Sequence, residues 1–194
     1  RVTFYVEESA EGYGQVAAVR IALAALKKDH PEYAPLLMTM DGVEDADWEN
    51  NWKVFYKPME IGERLMVVPE WEEAKSGGRV TVRLNPGLTF GTGSHATTRL
   101  CLELLEGMLR PGDRVLDLGC GSGILAIAAL ALGASRAVGV DIDPMAADVA
   151  FENAALNGIG ADRLSVYAGD VLSDKKLAAR LGPGQNRVVL ANIV

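Results

Sequence analysis

From Asn85 onward, the apolar positions of this 194-residue chain switch repeatedly between a helical and a strand period. The alternation predicts helix 95–109, strand 114–118, helix 123–132, strand 136–141, helix 144–157, strand 163–167, a short helix 174–181 and strand 187–192. Strands that alternate with helices pair in parallel through right-handed crossovers, giving an α/β, doubly wound sheet. Ligands of such sheets lie at the carboxyl ends of the strands, near the point where the strand order reverses.

The first half reads differently. Val16, Val19, Ile21, Leu23 and Leu26 sit among alanines and predict one helix, with Lys27 and Lys28 in its last turn, where positive charge suits the helix dipole. Strand-like runs flank it at 2–6 and 36–40. A β-α-β piece of this size buries little by itself, so residues 1–43 are expected to be part of a small α+β domain. Residues 44–58 form an acidic, aromatic linker in which Trp48 and Trp52, four apart, share a helical face and pack between the domains. Further strands are expected over 53–56, 64–68 and 80–84, with turns at Ile61-Gly62 and Ser76-Gly77-Gly78, and residues 59–194 make up the ligand-binding domain. Arg1 stands where a methionine would start a chain, and strand 187–192 would leave an apolar edge. Both ends are therefore expected to be trimmed.

Composition narrows the class. The chain is 49% hydrophobic and 23% charged, and its longest apolar stretch, 124–134, is too short to span a bilayer. Nothing resembles a secretory leader, and Cys101 and Cys120 form no metal or disulfide pattern, which points to the cytoplasm. Net charge is 19 − 26 = −7. That disfavours a nucleic-acid footprint and suits a basic protein partner, although many cytosolic enzymes are equally acidic.

The chemistry is concentrated at Asp117-Leu118-Gly119-Cys120-Gly121-Ser122-Gly123, between a strand and a helix. Gly119, Gly121 and Gly123 allow a sharp turn and close backbone approach to a ligand. A dinucleotide loop reads Gly-x-Gly-x-x-Gly and faces a pyrophosphate. Here the spacing is Gly-x-Gly-x-Gly, preceded by Asp117, which suits an ammonium and repels a phosphate. S-adenosylmethionine carries an ammonium and no phosphate. Asp141 ends the next strand and can accept the ribose hydroxyls, or else cap the helix near Pro144, a role better suited to Asp143. Asp170 ends the strand after that, where it can accept the adenine amino group or make a plain Gly-Asp turn.

The stretch Asn85 to Arg99 is glycine-rich, contains Phe90, and leads into a helix whose first turn holds Thr97 and Thr98. Such a loop can fold over a bound ligand, with a threonine and free helix amides meeting a carboxylate. His95 is a candidate general base or a structural histidine. Asn192, at the end of the fourth strand, is placed to accept a hydrogen bond from an incoming amine, or to cap the strand end.

Taken in order, Asn-Pro-Gly-x-x-Phe-Gly-Thr-Gly-x-His-x-Thr-Thr, Asp-x-Gly-Cys-Gly-Ser-Gly-Ile-Leu, Gly-Val-Asp-Ile-Asp-Pro and Ala-Asn-Ile resemble the PrmA family. These bacterial enzymes methylate amino groups of a large-subunit ribosomal protein. The similarity runs from about Asp47 to Val194. It implies that Thr98, Gly119, Asp141 and Asn192 contact the methyl donor, and that the loop from Phe90 to His95 closes over it. It also implies a Rossmann-like sheet of which the first four strands of seven are present, preceded by the second half of a ferredoxin-like domain that docks the substrate. Ala96 replaces the family's usual proline. The expected function is S-adenosylmethionine-dependent N-methylation of lysine or N-terminal amines on a ribosomal protein, by a monomer. Alternatives are a donor-binding protein, a nucleic-acid amino-methyltransferase, an NAD enzyme and a methyltransferase acting on another protein. The second lacks support because Asn192-Ile193-Val194 has neither the prolines nor the aromatic that hold a flipped base.

Overall fold

The computed structural model describes residues 4–6, 9–33, 35–39, 53, 56–86, 95–182 and 184–193. Phe90, Trp48 and Trp52 lie outside the described residues. The chain divides into two compact units, Arg1–Glu49 and Asn50–Val194.

The first unit contains helix α1 (Ala10–Asp29) and a short 3-10 turn, Pro31–Tyr33. Ser9 caps α1, its Oγ accepting the Gly12 N–H at 3.1 Å. The runs expected as strands are not strands where they are described, at 4–6 and 36–39. A ladder needs a partner and a buried face, whereas Leu37 is 86% exposed.

The second unit begins with a three-stranded sheet of β1 (Met59–Ile61), β2 (Leu65–Pro69) and β3 (Val80–Leu84). β1 is antiparallel to β2, and β2 is parallel to β3. The strand expected at 53–56 is not formed at its described residues; Lys53 lies in a 3-10 turn and Tyr56 in no regular element. The hairpin strand β1 takes its place. Its turn is held by Glu106, whose carboxylate accepts the Glu63 and Arg64 amides at 2.8 and 2.9 Å.

The rest follows the alternation: α2 (Ala96–Met108), β4 (Arg114–Leu118), α3 (Ile124–Ala131), β5 (Arg136–Asp141), α4 (Ala146–Leu156), β6 (Leu164–Ala168), α5 (Lys175–Arg180) and β7 (Val188–Ala191). The four strands form an all-parallel sheet in the order β6-β5-β4-β7. The order reverses between β4 and β7, which opens a crevice at their carboxyl ends.

Burial explains the layering. Seven of the eight residues of α3 are buried, because the helix lies in a core shared with Leu65 and Val82 of the small sheet, Leu102 and Leu105 of α2, and Val115 and Val188 of the large one. Alternate residues of the large sheet, Leu116, Val138 and Val140, face Leu177 and Leu181 on the opposite side. A parallel sheet covered on both faces requires near-continuous apolar strands, and β4 and β5 have them. No helix among the described residues is long and apolar enough to cross a membrane.

Candidate active site

The glycine loop connects β4 to α3. Asp117, near the end of β4, is 1% exposed. Its Oδ2 accepts the Ala126 N–H from the first turn of α3 at 3.1 Å. Among the described residues, none hydrogen-bonds its Oδ1. Burial pushes its pKa up from 3.8 to about 7; the Ala126 bond opposes this and the charge of Asp141 adds to it. A buried carboxylate with one unpaired oxygen is a costly arrangement that a cation relieves.

The next residue but one, Gly119, has φ +68°, and a Cβ there would lie 2.7 Å from Ile193 Cγ1. Only glycine lets β4 and β7 end this close together. The Gly119 and Cys120 amides donate to the Val140 carbonyl at 2.8 and 3.1 Å. The Gly121 N–H donates to Asp141 Oδ2 at 2.8 Å. The loop is thereby fastened to the end of β5. Cys120 is buried beneath it, its Sγ 2.9 Å from where a Cβ on Gly139 would stand, and burial pushes its thiol pKa up.

Each strand end contributes an acid or amide. Asp141 is half-buried, and its Oδ1 accepts the Asp143 N–H at 2.9 Å while Oδ2 holds Gly121. Each oxygen retains a further lone pair for a hydroxyl donor. Asp143 takes the turn into α4, accepting the Met145 N–H at 2.9 Å. Asp170 is exposed; its Oδ1 accepts the Leu172 amide at 2.9 Å, and this bond, with help from Ser173, holds its pKa down. Asn192 follows β7, where Ala191 pairs with Leu118. Its Nδ2 donates to Thr98 Oγ1 at 3.0 Å, which leaves Oδ1 as the acceptor. Thr98 is buried in the first turn of α2. His95 caps that helix only by position, and its exposed ring bonds Thr97 Oγ1 at 2.8 Å.

The model of the family described as ribosomal protein L11 methyltransferase (PrmA) matches residues 5–194. The chain belongs to this family. It is 50% identical over 155 residues to the ribosomal protein L11 methyltransferase of Ectopseudomonas mendocina, covering 80% of this chain and 50% of that one. Its counterpart in Symbiobacterium thermophilum is 52% identical over 154 residues, with coverage of 78% and 47%. The chain thus spans about half the length of the curated relatives it matches. A crystal structure of ribosomal protein L11 methylase from Lactobacillus delbrueckii subsp. bulgaricus superposes with a TM-score of 0.60 at 38% identity, over 71% of this chain and 67% of that one.

In this PrmA-family chain the described candidates gather at one end of the large sheet. Asp117 lies in the last pleat of β4 with Gly119 and Gly121 just after it, Asp141 ends β5, Asp170 follows β6, and Asn192 follows β7, bonded to Thr98 of α2. Sequence reasoning did not single out Ile142, Leu172 and Ile193, which follow β5, β6 and β7 and are 77%, 92% and 70% exposed. Large apolar groups left in water at the strand ends suit a flat apolar ligand ring. Their signal was available: Ile142 and Ile193 directly follow Asp141 and Asn192, and Leu172 stands two residues after Asp170. Gly139, in the interior of β5, signalled the close approach of Cys120.

Proposed function

We propose that this chain binds S-adenosylmethionine at the ends of β4, β5 and β6 and N-methylates amino groups of ribosomal protein L11, on lysine side chains, the N-terminus or both. The observation that carries the reading is the buried, half-paired Asp117 carboxylate beside the Gly119 backbone, a setting that fits an ammonium and rejects a phosphate. Asp117 would hold the donor's ammonium. Thr98 and the first amides of α2 would meet its carboxylate. Gly119 and Gly121 would line it with backbone, Asp141 would accept the ribose hydroxyls and Asp170 the adenine amino group, and Phe90 belongs to the loop that would cover it.

When bound, the donor supplies a methyl group already activated on a sulfonium. The residues therefore need mainly to align the reactants, and orientation of this kind supplies roughly 7–11 kcal/mol. Asn192, with its amide fixed by Thr98, would present Oδ1 to an incoming amine and orient its lone pair for in-line attack on the sulfonium methyl, with the S–CH3 bond breaking, S-adenosylhomocysteine leaving and the product ammonium losing its proton to solvent. The amine must arrive neutral, and desolvation beside the site favours that form. No base is needed, which agrees with an exposed His95 occupied by Thr97.

Residues 1–43 would dock the basic ribosomal substrate, 44–58 would link, and 59–194 would bind and transfer. The enzyme would work as a cytoplasmic monomer without direct contact to nucleic acid or membrane. Incubation with S-adenosylmethionine and purified L11 should raise the mass of L11 in methylene steps. Binding of S-adenosylhomocysteine without any mass shift would identify a donor-binding protein instead, and a shift on RNA would replace the acceptor.

A further inference from the structure

One fully buried polar side chain grips the glycine loop from behind. Asn153, in α4, has no exposed surface. Its Oδ1 accepts the Asn85 N–H at 2.8 Å, and its Nδ2 donates to the Ser122 carbonyl at 3.0 Å. A single carboxamide thus joins three segments distant in sequence: the exit of β3, the glycine loop and α4. The Ser122 carbonyl belongs to a peptide unit whose other end, the Gly123 N–H, donates to the Cys120 carbonyl at 2.8 Å. With both ends held, that peptide plane cannot rotate. Two peptide units earlier in the same loop, the Gly121 N–H donates to Asp141. Packing reinforces the grip, since a Cβ on Gly123 would lie 2.9 Å from Ala150 Cβ, one turn before Asn153. An apolar residue of equal size would leave a buried carbonyl and a buried N–H without this partner.

We propose that Asn153 is a positioning residue for the methyl-transfer site, setting the glycine loop for the donor and tying it to the chain that leaves β3 at Asn85. This rests on the donor reading above. Asn157 supplies the contrast. One turn further on, it accepts the Arg83 N–H at 2.8 Å and donates to the Arg83 carbonyl at 2.7 Å. Both asparagines fasten α4 to β3 and its exit, but only Asn153 reaches the glycine loop.

The test pairs Asn153→Asp with Asn157→Asp in the full chain, following thermal melting and titration with S-adenosylhomocysteine. Each change keeps size and acceptor while removing the donor. Asn153→Asp should weaken binding at least about tenfold at a temperature where it is folded, and Asn157→Asp less than about twofold at a similar loss of Tm. Equal affinities for both variants and the wild type overturn the inference. Losses of affinity that simply track Tm in both variants overturn it too. Should Asn153→Asp fail to fold, hydrogen exchange on the wild type decides. The ligand should then slow the Asn85 amide together with the loop amides, and protection of the loop with Asn85 unchanged overturns the coupling. A wild type that binds no S-adenosylhomocysteine removes the donor reading itself, and this inference with it, before any variant is compared.

Discussion

The ends of β4 and β6 each carry an aspartate, and the two live in opposite surroundings. Asp117 is 1% exposed, has one oxygen on the Ala126 amide and none of the described residues on the other, and is pushed up to about 7. Asp170 stands in solvent, shapes a turn through Leu172, and is held low by that hydrogen bond. The same residue type therefore means different things inside a strand, where Asp117 lies level with Val166 of β6 through Gly139, and two residues past a strand, where Asp170 lies. An acid at a strand end is ordinary turn chemistry. An acid sealed in with an unpaired oxygen stores free energy that a cationic ligand can recover.

The largest effect expected from this contrast is on stability. Unfolded Asp117 releases its proton near 3.8, whereas the folded chain holds it to about 7. The folded state therefore binds more protons between those values, and its stability falls as pH rises through that window, levelling off above it. The loss is about 4 kcal/mol at most. Denaturant melts of Asp117→Asn at pH 5 and pH 8 should lack this slope; an unchanged slope would place its origin elsewhere. Donor affinity comes next. Asp117→Asn should cost about 3 kcal/mol, or roughly 100-fold, in S-adenosylhomocysteine binding by calorimetry, because an ammonium loses its buried countercharge. Smaller again is the pH dependence of the wild type. Binding should expel the Asp117 proton, so affinity should rise about tenfold per pH unit below 7 and flatten above it. Proton release measured in buffers of different ionisation enthalpy checks this, and uptake would contradict it. Least affected is Asp170→Asn, which should weaken binding only about fivefold as an exposed hydrogen bond is lost. Its lowered pKa supplies stability above its unfolded value that is lost as pH falls through the folded one, so stability between pH 5 and 8 should not change.

Two helices show how far the sequence could be read. α1 and α3 are both alanine-rich, and both were legible as helices. Yet Ile21 in α1 is 71% exposed, whereas Ile127 in α3 is fully buried. Periodicity reports a helix's preference, but burial depends on neighbours hundreds of atoms away. The same reason explains the missed hairpin. β1 has only three residues, Met59–Ile61, and forms because β2 pairs with it and Glu106 holds the turn. The expected runs at 2–6 and 36–40 had better strand composition and form none at their described residues. The site was more legible, since its residues are concentrated at or just past strand ends in order along the chain. Asn153 was not, because a single asparagine within a helix gives no sign of what it will touch.

By itself, the sequence determined the alternation of strands and helices, the left-handed turns that only glycine allows, and the placing of acids at the ends of successive strands. These are local matters, fixed by side-chain period and backbone sterics. Tertiary structure alone decided which acid would be sealed from water, that Asn192 would find Thr98 across 94 positions, and that one buried carboxamide would hold Asn85 and Ser122 together. Burial and hydrogen-bond pairing belong to the sheet order and to the helices packed on it, and no stretch of chain contains them.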